Sequence, residues 1–197
     1  MKTLTSTLAI FLVVIGGFQL TGSAQNIEKT LFRSNNKERA YYLFVPEKLD
    51  AAKPVPLVVL LHGSGRNGMS LAEKWKDLAK KERFIIAGPD ATASAGWNVP
   101  LDAPDPLYDL IESLKAKYPI NPRRIYLFGH SAGAIVGFYV ALMESEYFAA
   151  AAVHAGAMRP DEALLLIVRS ERYPSRSGSG RTTRSFRSRT SGRLATC

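Results

Sequence analysis

The sequence predicts an α/β fold in which a mostly parallel sheet lies between layers of helices, and three observations carry that prediction. Short apolar runs alternate with helical patterns along the chain, the order expected of parallel strands joined by right-handed crossovers. Two runs, Leu57-Val58-Val59-Leu60-Leu61 and Ile125-Tyr126-Leu127-Phe128, are continuously apolar, as strands buried on both faces are. Both lead into glycine-containing turns, His62-Gly63-Ser64-Gly65 and Gly129-His130-Ser131-Ala132-Gly133, at the strand ends where such sheets place their ligands.

Taken in order, residues 28–34 and 38–45 read as strands, with Asn35-Asn36 as the turn between them. Pro46 ends the second, and the pair reads as an antiparallel hairpin at the sheet edge. After a loop with two prolines comes the central strand 57–61, then a helix over 71–81 capped by Ser70, with Leu71, Trp75, Leu78 and Ala79 on its inner face. Residues 84–87 form the next strand, closed by Gly88-Pro89-Asp90, and 91–104 a loop carrying Gly96, Trp97 and Asn98. A helix over 106–118 follows, because Leu107, Leu110, Ile111 and Leu114 share one face. The strand into Gly129, a small-residue helix from Ala132 and a further strand over 148–153 complete the pattern. His62, Ser131 and His154 all fall at strand carboxyl ends, so three separate stretches converge on one rim.

At 197 residues the chain has room for one domain with a real core, and a hydrophobic content of 46% fits a globular protein. The formal charge of +9 is concentrated at one end: eight arginines and one glutamate in residues 169–197 place +7 of it there. The rest is nearly balanced, and no nucleic-acid partner is expected for it. Lys2, the apolar run 8–18 and Gly22-Ser23-Ala24 make a secretory signal pattern, too short to span a bilayer comfortably. The expected organisation is thus a signal peptide over 1–24, an α/β domain over 25–168 and an Arg/Ser-rich tail over 169–197 whose composition predicts disorder. The protein is expected outside the cytoplasm, secreted or periplasmic, with no stable membrane insertion after cleavage. The one cysteine, Cys197, leaves no internal disulfide, so stability must come from packing.

The chemistry is concentrated in Gly129-His130-Ser131-Ala132-Gly133. A serine on the sharp turn from a buried strand into a helix presents its hydroxyl beyond the sheet. Gly129 and Gly133 keep side chains out of the space where strand and helix meet. The N–H of Ala132 at the helix start faces an anion bound beside Ser131. No cofactor is implied: no metal-ligand cluster appears, and the loop HGSGRNG lacks the Gly-Lys-Ser/Thr that a nucleotide loop requires.

These residues resemble the α/β-hydrolase fold, a three-layer sandwich, and within it the secreted polyhydroxybutyrate-depolymerase and feruloyl-esterase group of serine esterases. The carriers are VVLLHGSGRNG (58–68), the helix 106–115, RIYLFGHSAGA (124–134) and VHAGA (153–157). The resemblance implies Ser131 as nucleophile toward an ester of a polyester or an aryl or acyl ester, with the amides of Ser64 and Ala132 as oxyanion hole. It implies that His62 shapes the loop after the central strand rather than acting as base. It leaves His130 packed beside the elbow, and gives Trp97, with His62 and His154, places beside a substrate pocket.

Members of that fold carry nucleophile, acid and histidine in that chain order. Of the three histidines only His154 follows Ser131, and Asp161, Glu162 and Glu171 all follow His154, so the order is not completed. Glu144 and Glu146 stand between Ser131 and His154, but on or just after the elbow helix, far from the expected acid position. At Arg169 the composition turns abruptly to Arg, Ser, Thr and Gly, which reads as a shifted frame replacing the last strand, the acid loop and the histidine loop. The expectation is an esterase scaffold lacking its last strand and helix, with impaired activity. The alternatives are a non-catalytic exported binding protein, with a basic tail suited to anionic polymers, and a peptidase-type hydrolase of the same fold.

Overall fold

The computed structural model of the chain describes residues 26–99 and 101–157. The expected signal segment, the expected tail and the region where a last strand and helix would follow lie outside the described residues. Within them, six strands and three helices follow one another as β1 (Glu28–Ser34), β2 (Lys37–Phe44), β3 (Val55–Leu61), α1 (Met69–Glu82), β4 (Ile85–Pro89), α2 (Asp105–Lys115), β5 (Ile120–His130), α3 (Ala132–Met143) and β6 (Ala150–His154). They form one sheet in the order β1-β2-β4-β3-β5-β6. The β3–β4, β3–β5 and β5–β6 pairs are parallel, while β1–β2 and β2–β4 are antiparallel.

The edge hairpin forms as expected. Asn35 and Asn36 both take positive φ, 51° and 59°, which a two-residue turn needs to match the strand twist and which asparagine tolerates. Period-two alternation then sorts the side chains. Tyr41, Leu43, Leu57, Val59 and Ile85 pack toward α2 and α3, while Tyr42, Phe44, Val58, Leu60 and Ile86 pack toward α1. The central strands are therefore covered on both faces, and β3 reads as one unbroken apolar run for that reason.

Two local expectations are corrected. Helix α1 starts at Met69, with Gly68 at its N-cap rather than Ser70. Ser70 Oγ donates instead to Asn67 O at 2.6 Å, and Asn67 Oδ1 accepts the Ser70 N–H. Gly68 is required there by contact, because a Cβ would lie 1.9 Å from Gly88 O on the neighbouring strand end. Leu78, assigned to the inner face, is 46% exposed, and Ala72 joins Leu71 and Ala79 as the buried set. Helix α2 matches its pattern, with Leu107, Leu110, Ile111 and Leu114 buried.

Tyr147, just beyond α3, ties that turn to α2: its hydroxyl donates to Glu112 Oε1 at 2.7 Å, and Lys115 Nζ bonds the same carboxylate at 2.8 Å. Partial burial alone raises the Glu112 pKa, but the hydrogen bonds from Lys115 and Tyr147 outweigh it and hold the carboxyl below its ordinary value. A depressed acid contributes stability above its unfolded pKa, and that stability is lost as pH falls through the folded one. Tyr147→Phe is therefore expected to lower the urea midpoint at neutral pH, and by less below about pH 4. Equal losses at both pH values would show that the bond to Glu112 is not the cause.

Candidate active site

The strand order decides where a site forms. From β3 the chain crosses to β4 on one side, and from β4 it crosses back past β3 to β5 on the other. Helix α1 after β3 and helix α3 after β5 leave adjacent strands for opposite faces of the sheet. The loops leading into them part at the carboxyl ends, the place where sheets of this topology form a ligand crevice.

On the β5 side stands Ser131. Its backbone is held at φ 54° and ψ −118°, a conformation unfavourable for a residue with a side chain and imposed by turning a strand directly into a helix. Close packing enforces the turn. A Cβ on Gly129 would lie 2.3 Å from Gly133 O, and one on Gly133 would lie 2.1 Å from Leu61 O. The Ser131 N–H donates to His154 O at 2.9 Å, joining the elbow to the end of β6. The Ser131 hydroxyl makes no capping bond to its own helix, whose Ala134 N–H is met by the Ser131 carbonyl at 2.9 Å. Ala132 opens α3, so its N–H has no acceptor within the helix.

The loop after β3 faces the elbow. A methyl group on Gly63 would stand 3.3 Å from Ser131 Cβ and 3.4 Å from His130 Cδ2, so this loop passes in contact with the serine. His62 is 2% exposed, and both its ring nitrogens are engaged. Nε2 accepts the Ala91 N–H at 3.1 Å, which makes Nδ1 the protonated nitrogen that donates to Gly63 O at 2.8 Å. A ring so occupied shapes the loop and has no free lone pair for a serine hydroxyl.

A third segment, residues 91–98, wraps over the second. The Gly65 N–H donates to Ser94 O at 3.2 Å, and Trp97 Nε1–H donates to His62 O at 2.7 Å. Gly96, at φ 140°, lies where an added Cβ would stand 3.2 Å from Ser64 Oγ and 3.8 Å from Ala132 Cβ. Ser64, Ala132, Trp97 and Ser131 are thus brought to one place. His130 and His154 stand at paired register positions, with their rings stacked and Nδ1 to Nδ1 at 3.0 Å. Among the described residues no group of three or more histidines, cysteines or carboxylates is placed to hold a metal ion.

Sequence reasoning missed two residues, Arg39 and Asp102. Their side chains, 6% and 1% exposed, form a buried ion pair at 2.9 Å. Asp102 Oδ1 also accepts from the Thr92 hydroxyl and the Thr92 N–H, and Oδ2 from the Asn98 N–H at 2.8 Å. Arg39 also donates to Leu101 O. The available signal was the alternation of β2, which puts Arg39 on the same face as Tyr41 and Leu43. Nothing local marks Asp102.

A mostly parallel sheet that presents a strained serine at a strand–helix elbow, beside a glycine loop from the neighbouring strand, defines a hydrolase-type α/β scaffold. The chain belongs to the alpha/beta hydrolase family, whose model it matches over residues 58–195. It is 27% identical over 138 residues to poly(3-hydroxyalkanoate) depolymerase C of Paucimonas lemoignei, covering 64% of this chain and 33% of that protein. It is 27% identical over 112 residues to the bifunctional acetylxylan esterase/xylanase XynS20E of Neocallimastix patriciarum, covering 54% of this chain and 16% of that protein. Among solved structures, the acetyl xylan esterase from Aspergillus awamori has the same fold, with a TM-score of 0.59 at 21% identity over 67% of this chain and 52% of that one. The chain spans a third or less of the length of the two curated relatives it matches.

Proposed function

We propose that the protein is a secreted or periplasmic carboxylic ester hydrolase that forms an acyl-enzyme on Ser131. The observation that carries the reading is the strained backbone of Ser131, held in contact with the Gly63 loop. The Ser131 hydroxyl adds to the ester carbonyl. The oxygen that becomes negative is met by the N–H groups of Ala132 and Ser64, which act most strongly on charge that develops in the transition state. One such donor contributes about 3 kcal/mol in a water-excluded site. Collapse expels the alcohol, and water then releases the acid. Trp97 lines the acyl side. The two similar curated proteins, one named for a polyester and one for acetylated xylan, support an ester of an acyl or hydroxyacyl group as substrate.

Addition requires that the hydroxyl lose its proton to a base. Among the described residues no imidazole is hydrogen-bonded to the Ser131 hydroxyl: His62 has both ring nitrogens engaged, and His130 and His154 meet through Nδ1 rather than through a carboxylate. We therefore propose that this chain acylates slowly, with the residual catalysis of an oxyanion hole and bound substrate, about a thousandfold or more over water. p-Nitrophenyl acetate should release p-nitrophenol slowly and leave one acetyl group on Ser131 by mass spectrometry. Ser131→Ala should remove both signals. Release that persists in that variant would end the nucleophile assignment, and fast turnover dependent on Ser131 would show that a base is in place. The pairing of His130 with His154 also favours a second reading, a non-catalytic exported binding protein that retains the crevice. Ligand capture without any acetylation of Ser131 would select it.

A further inference from the structure

The loop bearing Ser64 is held partly by its own bonds at Gly63 O and partly by a neighbouring segment. Its Gly65 N–H and the His62 carbonyl are bonded to Ser94 and Trp97, both on residues 91–98. That segment is fastened in turn at both ends by one carboxylate: Thr92 near its start and Asn98 at its end both donate to Asp102. Arg39, on the edge hairpin, supplies the countercharge that lets the carboxylate be buried. We propose that Asp102, paired with Arg39, is a positioning residue that sets the Ser64 amide opposite Ser131. The inference rests on the oxyanion role given to Ser64 above.

A continuous set of contacts runs from β2 through Arg39, Asp102, Thr92 and Asn98 to Ser94 and Trp97, and so to the Gly63–Ser64 turn. A donor displaced by a fraction of an ångström from the developing oxyanion loses much of its effect, while the fold around it persists. The Asp102 side chain is buried, so its contribution appears in transition-state complementarity and in the order of residues 91–98.

Phenylboronic acid reads the first quantity without turnover. Ser131 Oγ adds to the trigonal boron, the hydroxyl proton goes to solvent, and the tetrahedral boronate anion places an oxygen at the two amides. Amide hydrogen exchange in the full chain reads the second. Asp102→Asn is expected to weaken phenylboronate about ten- to a hundredfold. It should speed exchange at Gly65 N–H and Trp97 Nε1–H at least tenfold relative to the Leu127 amide in β5. Thr92→Val, which leaves the ion pair whole, should shift both in the same direction by a smaller factor and decides the matter if Asp102→Asn does not fold. Exchange that rises uniformly across the sheet, or phenylboronate affinity unchanged in a folded variant, would overturn the positioning role. If wild type and Ser131→Ala both fail to form the adduct, the proposed nucleophile falls instead, and the selectivity of exchange still decides whether Asp102 orders the loop.

Discussion

Gly133→Ala is expected to abolish the folded elbow. The added methyl would lie 2.1 Å from Leu61 O and 2.6 Å from His62 O, both backbone atoms of the central strand and the loop that follows it. Neither can rotate away as a flexible side chain can, so α3 must shift off β3 or the contact must be borne as strain. Overpacking of this kind costs about 1–3 kcal/mol, and more where, as here, only backbone can yield. That is a large part of the 5–15 kcal/mol typical of a domain. The urea midpoint should fall sharply. Gly65→Ala is the comparison: it has φ +65° but nothing within 4 Å of the added carbon, so it should cost only about 1 kcal/mol of backbone strain. If the two variants unfold alike, the contact with Leu61 is not what requires glycine.

The second large effect is expected at Arg39→Met, which leaves the Asp102 carboxylate 1% exposed without its cation. Removing one partner of a buried pair costs about 3–5 kcal/mol, because the remaining charge keeps its desolvation penalty and loses the attraction that offset it. The carboxylate would still accept from Thr92 and Asn98, which keeps the loss toward the lower end. Adding Asp102→Leu should recover part of the stability: no buried charge then remains, although the donors of Thr92 and Asn98 lose their acceptor. That double variant should fold, yet bind phenylboronate poorly, separating what the pair does for the fold from what it does for the crevice. Failure of the second substitution to restore the urea midpoint would mean that packing around Arg39, not charge, sets its cost.

Much of this architecture is legible in the chain because the strongest signals are local. Residues 57–61 and 125–128 are apolar without interruption, and strands covered on both faces require that. The spacing of Gly129, Ser131 and Gly133 states the elbow directly, since only close approach of strand and helix calls for small residues on both sides of a polar one. What was not legible is non-local. Arg39 and Asp102 are 63 residues apart, and a charged residue in a strand or a polar loop reads by default as solvated. The assignment of Leu78 to the inner face failed because helical periodicity tolerates an apolar residue at the margin of a stripe, and the buried face of α1 is made by Leu71, Ala72 and Ala79. The cap failed because a backbone approach at Gly68, invisible in sequence, fixes where α1 begins.

The place for a crevice between the loops after β3 and β5 is set by strand order, with helices departing to opposite faces, and owes nothing to the reactivity of the groups around it. A lineage on this scaffold that ceased to cleave bonds would therefore inherit a ready-made receptor, with amide groups still turned toward any carboxylate or carbonyl that entered. Loss of an enzyme's acid–base machinery, in such a topology, is a step toward recognition rather than an ending.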